Sequence, residues 1–194
     1  MLDMTRLRAQ VAHNYRRGRL ATGLVRNKNR KTLPTASNMR YLKYNCTLES
    51  SAMKSAKRYS VITDPSLATG VQENNYLFPK SEASSDEDAL ILGVKHWWSQ
   101  TRETGGIGQG VTFTHYNIGK PIAWFTRMAW ATTQSVGCAV TPCDSYWSVV
   151  CHYTPGGNEL NKHIYMKGTP CANCPGGTYC NGQMLCQTLS SIAQ

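Results

Sequence analysis

The placement of eight cysteines restricts this fold more than any other feature of the sequence. Cys46 stands alone in the first two-thirds, while Cys138, Cys143, Cys151, Cys171, Cys174, Cys180 and Cys186 crowd the last third. An even number so distributed reads as a disulfide framework made in an oxidising compartment. A chain of 194 residues can bury a core unaided, so the bridges fasten a core and do not replace one. Cys171, Cys174, Cys180 and Cys186 leave a second reading open, a zinc site. The Pro170, Pro175, Gly176, Gly177 and Gly182 among them describe a knot of turns, which favours disulfides.

The rest of the chain divides by hydrophobic period. Leu7, Val11 and Tyr15 recur every four residues in an arginine-coated segment from Leu2 to about Ala21, predicting a helix with that stripe buried. Met39, Leu42, Cys46, Met53 and Ala56 predict a second helix, with Cys46 turned inward. Val71–Tyr76 reads as a short strand, and the acidic Ser81–Asp88 stretch as a loop leading into a third helix bearing Leu90, Val94, Trp97 and Trp98. Pro121 opens a fourth helix with Ile122, Phe125, Met128 and Trp130. Val136–Val140 and Tyr146–Tyr153 alternate as two antiparallel strands joined by a turn at Pro142–Ser145. Helices, then strands, then a stapled tail make an α+β layered domain over residues 1–167, with a cysteine-rich tail over 168–194.

Charge is as uneven as the cysteines. Of a net +10, residues 1–60 hold fourteen Lys and Arg against only Asp3 and Glu49. Arg16, Arg17, Arg19, Arg26, Lys28, Arg30 and Lys31 therefore predict a basic face that attracts polyanions such as glycosaminoglycan or anionic lipid. Nucleic acid is not expected, because no aromatic residues interleave with these charges as stacking platforms. No apolar run approaches the ~20 residues of a membrane span, so a soluble protein is expected. The opening Met1-Leu2-Asp3-Met4-Thr5-Arg6 lacks an export signal, so the chain reads as a mature or recombinant form that has lost one. Secretion to the extracellular space is the expected localisation.

Seven collinear stretches carry a resemblance. They are His13-Asn14-Tyr15-Arg16-Arg17, Leu33-Pro34 through Asn38-Met39, Glu73-Asn74-Asn75-Tyr76, Phe125-Thr126-Arg127-Met128-Ala129-Trp130, Val136-Gly137-Cys138, Cys151-His152-Tyr153-Thr154-Pro155-Gly156-Gly157-Asn158 and Ile164-Tyr165-Met166-Lys167-Gly168-Thr169-Pro170-Cys171. In this order they resemble the CAP superfamily (SCP/TAPS), most closely nematode venom-allergen-like or activation-associated secreted proteins. The resemblance implies a three-layer α-β-α sandwich with a short cysteine-rich tail. It also implies the pairs Cys46–Cys143, Cys138–Cys151, Cys171–Cys180 and Cys174–Cys186. A further family bridge would join the positions of Tyr59 and Thr154, both of which lack cysteine here.

The same resemblance implies a cleft of two histidines and two acids, sometimes holding a divalent ion. Here the four positions fall on Thr63, Glu73, Gln100 and Trp124, so a single acid remains. One carboxylate with a hydroxyl, an amide and an indole makes no zinc site and no acid–base pair. His13 and His152 sit in segments that read as structural, and His115 is the remaining histidine that could approach the cleft. No Gly-x-Ser-x-Gly elbow is present. No enzyme, cofactor or metal is expected.

Two functions from different classes remain. In one, a parasite effector binds sterol or fatty acid at Tyr76-Leu77-Phe78-Pro79, with the following acidic loop as a lid. In the other, an immunomodulator acts on a host receptor or glycosaminoglycan through the basic face, without a lipid. A monomer or weak dimer is expected, and Asn45-Cys46-Thr47 satisfies the N-glycosylation pattern.

Overall fold

The computed structural model describes residues 1–189. A four-stranded sheet sits at its centre in the order β1-β3-β4-β2, from β1 (Lys43–Tyr44), β2 (Gln72–Pro79), β3 (Ser135–Pro142) and β4 (Tyr146–Thr154). β4 pairs antiparallel with both β2 and β3, and β1 pairs parallel with β3. One face carries α2 (Cys46–Ala56); the other carries α1 (Asp3–Ala21), α3 (Asp86–Glu103) and α4 (Ile122–Ala129). This is the α-β-α sandwich that the sequence implied.

Strand alternation decides what each face receives. Val136, Cys138 and Val140 with Val149, Cys151 and Tyr153 pack toward Ala9, Leu90, Val94 and Trp97. The intervening Ala139 and Val150 meet Ala52 and Ala56 of α2. α2 lies close enough that a Cβ on Gly137 would stand 2.3 Å from the Glu49 nitrogen. Only glycine permits that approach, which explains the glycine between Val136 and Cys138.

α1 is held by polar groups on its inner face. His13 bonds the Ala9 carbonyl at 2.7 Å and the Tyr153 hydroxyl at 3.0 Å. Asn14 donates to the Leu42 carbonyl and accepts from the Leu42 amide, pairing like a strand residue. Arg17, fully buried, donates to the carbonyls of Arg40, Met128, Trp130 and Ala131. It thereby satisfies the chain where α4 ends, the region in which helical carbonyls lack partners of their own.

Two helical expectations are corrected here. The buried side of α1 is Thr5, Ala9, Ala12, His13, Arg17 and Leu20, while Leu7, Val11 and Tyr15 face outward. Small residues and satisfied polar groups let α1 sit close to the sheet, so apolarity alone misassigned the face. The second helix starts at Cys46, capped by Asn45 Oδ1, which accepts from the Thr47 and Leu48 amides. Met39 and Leu42 are buried before the helix begins, and Cys46 is exposed.

The structure bonds Cys138 to Cys151, Cys171 to Cys180 and Cys174 to Cys186. The expected Cys46–Cys143 bridge is absent, and both residues are free thiols. The reason is the direction of α2 along β3. Asn45, just before the helix, bonds Val136 at one end of the strand. Ala56 and Tyr59 bond Thr141 and Pro142 at the other end, next to Cys143. The 11 residues of α2 put roughly 16 Å between those ends, against the ~7 Å limit for a disulfide.

The tail forms a small ribbon of β5 (Thr178–Cys180) and β6 (Cys186–Thr188). It docks on the domain through Cys186, which bonds Met39 and Tyr41, and through Leu185, buried in the core. The end of the expected tail, residues 190–194, lies outside the described residues.

Candidate functional site

The four cleft positions fall in two pairs, Thr63 near Glu73 through Asp64, and Gln100 with Trp124 about His96 on the α3 side of the sheet. Glu73 is buried and turns to the α2 side of the sheet. Its carboxylate accepts from Asn75 Nδ2 at 3.0 Å and from the Asp64 amide at 3.3 Å, and lies 3.0 Å from His152 Nε2. Burial pushes its pKa up, but the bonds from His152, Ser55 and Asn75 outweigh this and leave it below the ordinary carboxylate value. Thr63 is exposed beside Asp64. Gln100 is buried and bonds the His96 carbonyl and Glu103 on its own helix. Trp124 tilts over His96 at 5.3 Å. A hydroxyl, an amide and an indole supply no zinc ligand of use, and the one carboxylate is already engaged, so the set does not fit a divalent ion.

The zinc alternative for the tail is corrected too. Among the described residues, the sulfurs close enough to share an ion are Cys171, Cys174 and Cys186, or Cys138 and Cys151 with His13. All five are disulfide sulfurs, which offer no thiolate.

A buried polar chain escaped the sequence reading. Ser51 Oγ lies 2.7 Å from His152 Nδ1, and His152 Nε2 lies 3.0 Å from Glu73, in the order of a hydrolytic triad. Ser51 sits in mid-α2, however, where the helix uses the neighbouring amides for its own bonds, and its hydroxyl also reaches the Leu48 carbonyl. No oxyanion-binding pair of amides is left at the serine. The chain reads as a satisfied polar seam between α2 and the sheet.

The expected lipid site lies on β2. Tyr76 and Phe78 project to the α3 face, where Tyr76 stacks on His96 at 3.8 Å and Phe78 is core. Leu77 and Pro79 alternate to the opposite side of β2, which pairs with β4 along its whole length. Ser85 then caps α3 directly by accepting from the Asp88 amide, so the acidic stretch is a helix start and leaves little lid to move.

The basic face does gather a site. α1 ends at Ala21, and residues 25–33 fold back as a tight hairpin, with Arg26 bridged to Thr32 and Asn27 to Lys31. Between this hairpin, α1 and α3 lies a groove of about 500 Å³. Arg16 and Arg19 of α1, Arg26 of the hairpin and Arg102 of α3 line it with Tyr15 and Trp98, and no carboxylate is in its lining. Burial lowers the pKa of Arg16, as expected for a guanidinium short of a counter-charge. Thr101, buried in the lining, has an Oγ1 with no hydrogen-bond partner among the described residues. Lys28, Arg30 and Lys31 stand exposed on the same hairpin. Arg17 is corrected out of this set, since its guanidinium is spent on buried carbonyls.

Sequence reasoning found Arg16, Arg19 and Arg26 from local charge density and missed Trp98, Thr101 and Arg102. Those three are remote in sequence and reach the groove only because α3 packs beside α1.

Comparison with known proteins agrees with this architecture. The family model described as "CAP: Cysteine-rich secretory protein family" matches residues 11–153. Ancylostoma secreted protein from Ancylostoma caninum is 32% identical over 189 residues, covering 93% of this chain and 43% of the relative. Hookworm platelet inhibitor 1 from the same organism is 34% identical over 138 residues, covering 71% of this chain and 62% of the relative. The chain thus spans less than two-thirds of either. Among solved structures, that of NaASP2 with Zn2+ superposes with a TM-score of 0.88 at 29% identity, over 96% of both chains. BmVAL-1 gives 0.88 at 28%, over 97% of this chain and 96% of that one.

Proposed function

Because the chain belongs to the CAP (cysteine-rich secretory protein) family, we propose that it is a secreted, non-enzymatic binding protein that grips a polyanionic partner through its basic groove. The observation carrying this reading is the convergence of Arg16, Arg19, Arg26 and Arg102 on one groove without a lining carboxylate. Guanidinium forks bind clustered sulfate or phosphate oxygens in pairs of charge-assisted hydrogen bonds. An effector acting outside the cell on a sulfated polymer or an anionic lipid surface needs that chemistry and no catalyst.

Secretion is supported by the three disulfides and by the relative named as a secreted protein. No helix among the described residues is long and apolar enough to cross a membrane. The non-enzymatic reading rests on the lone carboxylate among the cleft positions and on the missing oxyanion donors at Ser51. The sterol or fatty-acid reading at Tyr76–Pro79 has less support, since Phe78 is committed to the core.

Retention on immobilised heparin across a salt series tests the proposal. The expected result is binding that weakens steeply with salt, with Arg16→Ala, Arg26→Ala and Arg102→Ala together eluting far earlier than the parent. Retention that ignores both salt and these substitutions would remove the groove from the function.

A further inference from the structure

The outer face of α1 carries an apolar stripe with no apolar partner among the described residues. Met4, Leu7, Val11 and Tyr15 recur at steps of three, four and four, and Leu24 continues the line past the helix end. All five are 50–58% exposed. Eleven residues of helix make this stripe roughly 16 Å long, ending where Tyr15 and Leu24 enter the lining of the basic groove. The opposite side of α1 already makes the contact with the core, so no intramolecular packing requires these side chains.

Charge tells what covers the stripe. Arg19 borders it, and Arg16, Arg26 and Arg102 cluster at its end. Asp3 is paired with Arg6 and Glu87 with Arg8, while Glu82 and Asp88 lie beside Arg8 in a separate groove, so the unopposed positive charge lies at the end of the stripe that meets the basic groove. A sulfated polymer would use the arginines and gain nothing from Met4, Leu7, Val11 or Leu24. An anionic bilayer uses both, as helices with an apolar side and a cationic border do when they lie in the plane of the interface.

We infer that the partner of the basic groove is an anionic lipid bilayer, with α1 lying along its surface. This rests on the reading of the groove as a polyanion site. Leu7, Val11 and Leu24 enter the headgroup–acyl boundary. Tyr15 and Trp98 sit at the depth where amphipathic rings settle. The arginines of the groove take lipid phosphates.

Co-sedimentation of the full chain with phosphatidylcholine vesicles, with and without phosphatidylserine, is the test, run beside heparin retention on the same proteins. The parent is expected to bind only the phosphatidylserine vesicles. The Met4→Ser, Leu7→Ser, Val11→Ser variant, whose three positions lie outside the groove lining, is expected to lose roughly tenfold or more of that binding while keeping its heparin retention. The substituted residues are exposed, and circular dichroism is the check that the variant folds. Undiminished vesicle binding by the serine variant would overturn the inference, leaving a purely electrostatic contact. Heparin retention without vesicle binding would overturn it in favour of a sulfated polymer, with the groove reading intact. Binding to neither would remove both. A parent that is dimeric and a serine variant that is monomeric, neither binding vesicles, would assign the stripe to a second copy of this chain and also overturn the inference.

Discussion

Single residues in this protein are tuned by what they are buried against. His13 is enclosed by α1 and Tyr153, and burial pulls its pKa from 6.5 down to about 4. The unfolded chain takes up that proton near pH 6.5 and the folded chain only near 4, so the unfolded state binds more protons between them. Stability therefore falls as pH drops through this window, by about 3 kcal/mol in all from this residue. Urea titrations at a series of pH values should show the slope, and His13→Gln should flatten it. An unchanged slope would mean that the loss comes from elsewhere. Glu49, held down to about 2 chiefly by its bonds from Arg6, adds its own loss only below about pH 4.5. Arg17 teaches the same lesson in reverse, because a residue read as surface charge from its neighbours is a buried clamp on backbone carbonyls.

Elements are placed by close approach and by capping. α2 lies flat on β3 because Gly137 has no Cβ, and it starts at Cys46 because Asn45 caps it. Gly137→Ala would drive a methyl group into the α2 backbone, which cannot yield as a flexible side chain does. A loss of about 3 kcal/mol or more is expected, read from the urea midpoint. A change below about 0.5 kcal/mol would mean that α2 can lift away without cost. α1 was legible as a helix, yet its orientation was not. Its period is clear in Leu7, Val11 and Tyr15, but the buried side is built from Ala9, Ala12 and hydrogen-bonded His13 and Arg17, which no hydrophobic count selects.

At the scale of the whole molecule, three bridges do the fastening and the fourth expected one is absent. Cys138–Cys151 ties β3 to β4, and the other two close the tail around β5 and β6. Cys46 and Cys143 stand at opposite ends of the α2–β3 contact. Alkylation of the denatured, unreduced protein should add two groups, at these residues alone. No addition at either would show them bridged, and α2 would have to lie differently on the sheet. The basic groove belongs to this scale as well, since Arg26 and Arg102 lie 76 residues apart and meet only through the packing of α1, α3 and the hairpin.

The sequence by itself determined the family and the layered α+β architecture, and its resemblance to that family implied the three disulfide pairs that the structure shows. Those follow from residue identity and order, which local chemistry and collinear motifs report directly. Tertiary structure alone decided which side of α1 is buried, that Glu73 turns toward His152, that Phe78 is core, and that Arg16, Arg26 and Arg102 share a groove. The reason is physical. Hydrophobic period reports that a face exists, while the choice of face depends on close approach and on hydrogen-bond partners supplied from distant parts of the chain.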